Sequence, residues 1–478
     1  MPRIFLPSLF CLTLLVVSAI PQISPRRVRY LTYEEARAIL QSFPDSVSEL
    51  SSAKSPEAQA AVWPDWVKAR DRAVRERLRR GNEDTIVNFL VFGTSFTRQP
   101  RVTAEELMRL KQTQDISDQR INSRIDDLID ALFKPKAALG KNERLVFLGS
   151  FVTQQGYQLS DVADRSKLRQ YLVANLRRVL TEQESYARTV AAARLQGNAS
   201  EEFIARSKIY RERGLSLDTT LAPNFAIEES LKELRARGLL SPGSVRRVAI
   251  VGPGLDFTDK AAGYDFYPEQ SIQTFAIIDS LLRLGLTQVK ELQVTAFDIN
   301  SRILEHLARA RQRAQQGLSY TVQLPHDINA KWKPDLIRYW EDFGNQVGKP
   351  VAPVTVPPAL GVLKLRAVRI DPAIVARIKP ADLNIVYQRF TQPVNFDLII
   401  ATNILVYYDS FEQSLALANI ESLLRPGGFL LSNNVLLELP TSRMKSVDYL
   451  TVVYSDRPDD GDHIVWYQHT TTVADPRK

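Results

Sequence analysis

The chain has 478 residues, of which 44% are hydrophobic and 24% charged, the composition of a globular protein long enough for two or three domains. One cysteine excludes a disulfide within the chain. The four histidines (His306, His326, His463 and His469) stand in no metal-ligand spacing, which argues against a structural zinc or iron–sulfur centre. The net charge of +8 comes without an RNA-binding motif, so no nucleic-acid partner is expected.

Residues 1–25 form a first segment. Ile4 to Ile20 is uncharged and mostly apolar after Arg3. It reads either as a secretory signal peptide, with Val17-Ser18-Ala19 at the cleavage site, or as a short membrane anchor near the lower length limit for a span. Arg26, Arg27 and Arg29 follow it, and the positive-inside rule favours a cytosolic downstream flank.

Residues 30–240 read as a mainly helical domain. Leu31-Thr32-Tyr33-Glu34-Glu35 opens a helix with the pattern of a capping box. Lys68, Arg70, Arg72, Arg75, Arg77, Arg79 and Arg80 follow, interrupted by acids, and read as the solvated face of a helix. Asn82 to Phe96 is more apolar. Helices are expected over Ala104–Phe133, Asp164–Leu195, Ala199–Arg213 and Ala226–Gly238, with a polar loop from Gly214 to Phe225 before the last.

From residue 245 the pattern changes. Val248 to Val251 is a short apolar run suited to a buried parallel strand, and it ends in Gly252-Pro253-Gly254-Leu255-Asp256. Glycines there let the backbone turn tightly and approach a ligand. Leu292 to Asp298 is a second strand ending in a carboxylate, where an acid can accept hydrogen bonds from a ribose diol. Asp298 also suits a helix N-terminus, since Asn300 or Ser301 opens the next helix. Phe396 to Asn403 is another buried strand, running into Ile404-Leu405-Val406-Tyr407-Tyr408-Asp409. A helix from Phe411 to Leu424 closes on Arg425-Pro426-Gly427-Gly428, and a strand follows over Phe429–Asn433. Val447–Tyr454 and His463–Gln468 flank the turn-forming Pro458–Asp462 and read as a hairpin.

Residues 246–470, and above all FDLIIATNILVYYD followed by LLRPGGFLL, resemble the class I S-adenosylmethionine-dependent methyltransferases, with motifs similar to the chemotaxis receptor (CheR-type) enzymes. The resemblance implies an α/β fold: a Rossmann-like doubly wound sheet with a C-terminal antiparallel hairpin, here over 245–475 and behind the helical domain. It implies S-adenosyl-L-methionine as cofactor. Gly252, Gly254 and Asp256 would line its methionine part, and Asp298 would hold the ribose hydroxyls. Asp382, with Asp327 as rival, would contact adenine, and Asn403 would sit beside the methyl group. Tyr407 is a second methyl-proximal candidate, with packing at the sheet edge as its other reading.

Two departures stand out. The gap of 44 residues from Gly254 to Asp298 exceeds the usual one-helix spacing of about 20. The extra length, 257–267, reads as a loop over the cofactor before a helix from Pro268 to Leu284. A second insertion, 328–380, carries Trp332, Tyr339, Trp340 and a Pro-rich run, and is expected to cap the substrate side.

The expected activity is methyl transfer by in-line displacement to an unidentified acceptor, a small molecule or a protein. S-adenosylmethionine is made in the cytosol, so the expected address is a membrane anchor with a cytosolic catalytic domain; export through a cleaved signal peptide is the alternative. A non-catalytic scaffold of the same fold would show a cleft filled by protein side chains. A nicotinamide-dependent oxidoreductase would want a third glycine where Phe257 stands.

Overall fold

The computed structural model describes residues 28–44, 47–51, 53, 55–102, 106, 109, 118–134, 142–195, 214–215, 220–257, 264–360, 363–458 and 460–471. The apolar stretch Ile4–Ile20 and the expected helix Ala199–Arg213 lie outside the described residues. Among the described residues no helix is long and apolar enough to cross a membrane. In chain order the elements are β1 (Val28–Tyr30), α1 (Tyr33–Ser42), α2 (Ser48–Ser51), α3 (Pro56–Phe92), α4 (Gln119–Leu132), α5 (Glu143–Gln154), α6 (Val162–Leu195) and α7 (Ala222–Ala236). There follow β2 (Arg247–Val251), α8 (Gln273–Arg283), β3 (Gln293–Asp298), α9 (Ser301–Gln315), β4 (Tyr320–Asp327), α10 (Pro334–Asp342), β5 (Gly348–Val351), β6 (Leu363–Ile370) and α11 (Pro372–Val375). The last are β7 (Ile378–Asp382), β8 (Gln388–Phe390), β9 (Phe396–Ala401), α12 (Ser410–Leu423), β10 (Leu424–Ser432), β11 (Met444–Val453) and β12 (Gly461–His469).

Seven strands form the main sheet in the order β11-β12-β10-β9-β2-β3-β7. The five from β10 to β7 are parallel, and β12 runs antiparallel between β10 and β11. β2 and β9 are buried on both faces, which is why they read as continuous apolar runs rather than alternating ones. Val248 and Ile250 belong to one hydrophobic core, Ala249 and Val251 to the other. Both cores also take residues from the helical segment before 240. Phe89, Ile125, Leu148 and Leu172 join the first, while Trp63, Trp66 and Val74 join the second. The helical segment therefore packs on the sheet from two sides.

α3 links those sides. It is 37 residues long, about 55 Å at helical rise. Near its start Trp66 packs edge-on against Tyr387 and against Phe411 of α12; near its end Phe89 meets Phe257. Its inward stripe is Val67, Asp71, Val74, Leu78 and Gly81, at helical spacing. The backbone of Leu215 crosses at Gly81, where a Cβ would lie 1.8 Å from the Leu215 carbonyl oxygen. The basic run here departs from the expectation of one solvated face. Lys68, Arg72 and Arg79 are exposed, but Arg75 and Arg77 flank the inward stripe and are half-buried.

The second insertion begins earlier than residue 328. Its first strand is β4, and β4, β6 and β5 make a separate antiparallel sheet. It meets the turn of the terminal hairpin, where the Lys333 N–H donates to the Tyr454 carbonyl at 2.8 Å.

β1 pairs with β8, and the joint is clamped by Glu35. Thr32 and Glu35 cap α1 reciprocally. The same carboxylate accepts two hydrogen bonds from Arg29, both at 2.7 Å, and one from Arg389 at 3.0 Å. Burial works to raise the Glu35 pKa. The hydrogen bonds of Arg29 and Thr32 and the charge of Arg389 outweigh it and hold the group at about 2. A depressed carboxylate stabilises above its unfolded pKa and loses that contribution as pH falls through the folded value. Glu35→Gln is therefore expected to cost about 2 kcal/mol at pH 7 and almost nothing near pH 2, read by urea unfolding at both.

Candidate functional site

The C-terminal ends of β2, β3, β7 and β9 lie side by side around the point where strand order reverses. In open α/β sheets that is where ligands bind. β2 ends in a turn with Gly252 at φ 68° and Gly254 at φ 69°, a region that side chains with a Cβ enter at a cost. The Gly252 N–H is held by the Phe297 carbonyl at 2.8 Å. A Cβ on Gly252 would lie 2.1 Å from Ile404 Cδ1. Left-handed strain and overpacking together predict a loss of about 3 kcal/mol for Gly252→Ala. Ile404→Ala in the same chain should recover the packing part, measured by a double-mutant cycle in urea.

Asp298 ends β3 directly opposite Asp382 at the end of β7. Its Oδ1 accepts the Asn300 N–H at 2.8 Å, and Asn300 in turn caps α9 through the Arg302 N–H. Burial pushes the Asp298 carboxyl up to about 7. The nearby Asp382 charge adds to the rise, while the N–H groups of Asn300 and Ile299 and the charge of Arg75 oppose it.

Asp382 is held by α3. Arg75 donates to both its oxygens, at 3.0 and 2.6 Å, and also to the Ile299 carbonyl at 3.4 Å. Arg75 is steered by Asp71, whose carboxylate also accepts from Tyr30 at 2.9 Å and Asn384 at 2.7 Å. Two residues further along α3, Arg77 donates to the Tyr407 carbonyl at 3.2 Å and lies over the Tyr407 ring. The middle of α3 thus spans the strand ends from β7 to the turn after β9.

Asn403 follows β9 with φ 59°, a left-handed conformation at a non-glycine residue. Its N–H donates to Asn433 Oδ1 at 2.8 Å, and Asn433 Nδ2 donates back to Asn403 Oδ1 at 2.5 Å, tying the ends of β9 and β10 together. Thr402 accepts from Gln273 Nε2 at 3.0 Å, which fixes the first turn of α8 to the strand end.

Gly252, Gly254, Asp298, Asp382 and Asn403 are accordingly brought to one edge, with Tyr407 in the next turn. Asp256 does not join them. It is buried, and its Oδ2 accepts from Tyr267 and Gln270, both at 2.9 Å, so the carboxylate organises the loop instead. Asp327 does not join them either: it ends β4 in the separate sheet and accepts the Asn329 N–H at 2.9 Å.

Of the segment 257–267, expected to cover the cofactor, residues 258–263 lie outside the described residues. Its described ends turn to the helical layer. Asp265 accepts N–H and hydroxyl hydrogen bonds from Thr94 and Ser95, at 2.6 to 3.0 Å. The carbonyls of Asp256, Phe257, Asp265 and Tyr267 all accept from the buried guanidinium of Arg144. α8 begins at Gln273 rather than Pro268, because the Gln270 carbonyl accepts the Asp256 N–H.

Arg75, Arg77 and Asn433 were not legible as site residues. Arg75 lies 307 residues from Asp382, and nothing in the local pattern separates it from its exposed basic neighbours.

No family model and no curated protein matches the chain. Solved structures similar to it include methyltransferases. The N-methyltransferase NodS from Bradyrhizobium japonicum WM9, in complex with S-adenosyl-L-homocysteine, aligns over 56% of this chain and 98% of its own, at 15% identity and a TM-score of 0.27. The magnesium protoporphyrin IX methyltransferase ChlM from Synechocystis PCC 6803, with bound S-adenosylhomocysteine, aligns over 57% and 88%, at 12% identity and a TM-score of 0.25. The methyltransferase domain of bacterial CtHen1 aligns over 52% and 99%, at 10% identity and a TM-score of 0.27. Similarity this low leaves the fold to be argued from the strand order itself.

Proposed function

We propose that the chain is an S-adenosylmethionine-dependent methyltransferase. The observation that carries the reading is the strand order, with an antiparallel β12 inserted between β10 and β11 beside five parallel strands. That order goes together with a left-handed glycine turn after β2 and a carboxylate at the end of β3. A simple dinucleotide-binding sheet requires no such inserted strand.

The residues present fit the cofactor at its ribose edge. Gly252 and Gly254 keep Cβ atoms out of the turn, and Asp298 would accept the ribose hydroxyls. Asn403 and Tyr407 would border the reacting end. When bound, S-adenosylmethionine supplies a methyl group on a sulfonium, a leaving group that is already activated. The chain's task is then to align an acceptor and exclude water. α3 roofs the strand ends, and the Asn403–Asn433 pair fixes the end of β9. A general base is needed only for an acceptor that arrives protonated. The acceptor is a small molecule or a protein. The sequence similarity to chemotaxis receptor methyltransferases is confined to the β9–β10 region and does not choose between them. Anchoring through residues 4–20, with the catalytic domain on the cytosolic side, is the address we favour, since the cofactor is made there.

Ultraviolet crosslinking of methyl-labelled S-adenosylmethionine to the full chain tests this reading. Labelling that S-adenosylhomocysteine displaces and NAD does not is the expected result. Displacement by NAD, or no labelling of the folded protein, would overturn it.

A further inference from the structure

Asp382, which the resemblance gives to adenine, is held instead by Arg75. Both oxygens of Asp382, the acid at the end of β7, are taken by its guanidinium fork. The same guanidinium reaches the Ile299 carbonyl, one residue beyond Asp298. Asp71 orients it from one turn earlier on α3, and Asp71 is itself fixed by Tyr30 and Asn384. A planar fork held on both sides in this way is pre-organised, and lysine does not reproduce it.

Asp298 and Asp382 are paired across adjacent parallel strands, so two carboxylates crowd one edge. Like charges this close oppose each other's ionisation, and an adjacent guanidinium relieves it. The groups that face Asp298 are Asp382 from β7, Arg75 from α3, Tyr408 from the turn after β9, and the N–H groups of Ile299 and Asn300 from its own loop.

We propose that Arg75 is a positioning residue of the cofactor crevice: its fork on Asp382 offsets the second carboxylate, so that Asp298 meets the ribose hydroxyls as an anion. Asp382 then acts through Arg75 rather than by touching adenine. The inference rests on the methyltransferase reading and extends it to a residue of the helical segment.

The test is calorimetric titration of S-adenosylhomocysteine from pH 6 to 8.5 into wild type, Arg75→Ala, Arg75→Lys and Asp382→Asn, each full length. Affinity ratios to wild type cancel the ligand's own titration. Wild-type binding should weaken below about pH 7, where Asp298 takes up its proton. Without Arg75 the midpoint should move up by about one unit, so Arg75→Ala loses about fivefold in affinity at pH 7, nearly tenfold at pH 6 and progressively less toward pH 8.5. Arg75→Lys, which keeps the charge but not the fork, should restore only part of the wild-type profile. Asp382→Asn, at a half-exposed position, should move the midpoint down, and it carries the test if Arg75→Ala fails to fold. A loss equal at every pH, or an Asp382→Asn midpoint that does not fall, would overturn the role of Arg75 and leave the methyltransferase reading standing. No binding by wild type at any pH would remove both.

Discussion

Replacing Arg144 with alanine is expected to lower the stability of the whole chain by about 4 kcal/mol, enough to leave many small domains unfolded. The side chain is 1% exposed. Its guanidinium satisfies four carbonyls, those of Asp256, Phe257, Asp265 and Tyr267, and stacks near the Phe257 and Tyr267 rings. Truncation leaves those acceptors buried without their donor, and each hydrogen bond to a charged group is worth about 1.5–3 kcal/mol. It also opens the joint between α5 and the extension of the glycine turn. Urea unfolding followed by far-UV circular dichroism reads the loss. Arg144→Lys should recover less than half, because a point charge on a flexible stem cannot serve four acceptors. A loss under 1 kcal/mol for alanine would show that the joint does not hold the turn.

The second large effect falls on the proposed cofactor. Asp298→Ala should weaken S-adenosylhomocysteine binding about 100-fold. Two hydroxyls donating to a carboxylate represent about 3 kcal/mol, and each 1.4 kcal/mol is tenfold. Asp298→Asn keeps one acceptor and should lose about tenfold, together with the pH dependence near 7. Stability should move the other way. A carboxyl whose folded pKa lies above its unfolded value carries a destabilisation at neutral pH, which disappears as pH falls below the unfolded pKa. Both variants should therefore unfold at the same urea concentration as wild type at pH 8, or higher. Loss of affinity with stability kept or gained marks a residue maintained for binding rather than for the fold. Loss of both would assign Asp298 to the structure of the β3–α9 turn.

β2, β9 and the end of β10 were legible because they are buried and so appear as short uninterrupted apolar runs, and the terminal hairpin because turn residues separate its two strands, whereas β7, partly exposed, overlaps the expected insertion 328–380. Gly252, Gly254, Asp298 and Asn403 could be placed because strand ends are fixed once the strands are. Asp256 could not. Whether a loop carboxylate faces the crevice or ties Tyr267 and Gln270 depends on a chain path that spacing does not encode. α3 was obscured for a different reason. Pro64 and Gly81 interrupt its pattern on paper, although both are accommodated in one continuous helix. Its partners Asp382, Ile299 and Tyr407 lie more than 200 residues away, so no local periodicity distinguishes Arg75 and Arg77 from the exposed Arg72 and Arg79. The sheet formed by β4, β5 and β6 was missed because its strands pair across a long connection that reads as a Pro-rich loop.

Calorimetric titration of S-adenosylhomocysteine into the full-length protein at pH 8, where Asp298 is ionised, weighs most heavily on the whole account. The prediction is one site per chain with micromolar affinity, lost in Asp298→Ala. A folded protein that gives no heat, and retains no labelled S-adenosylhomocysteine in equilibrium dialysis, would contradict the methyltransferase assignment and leave a scaffold in which α3 has closed the crevice.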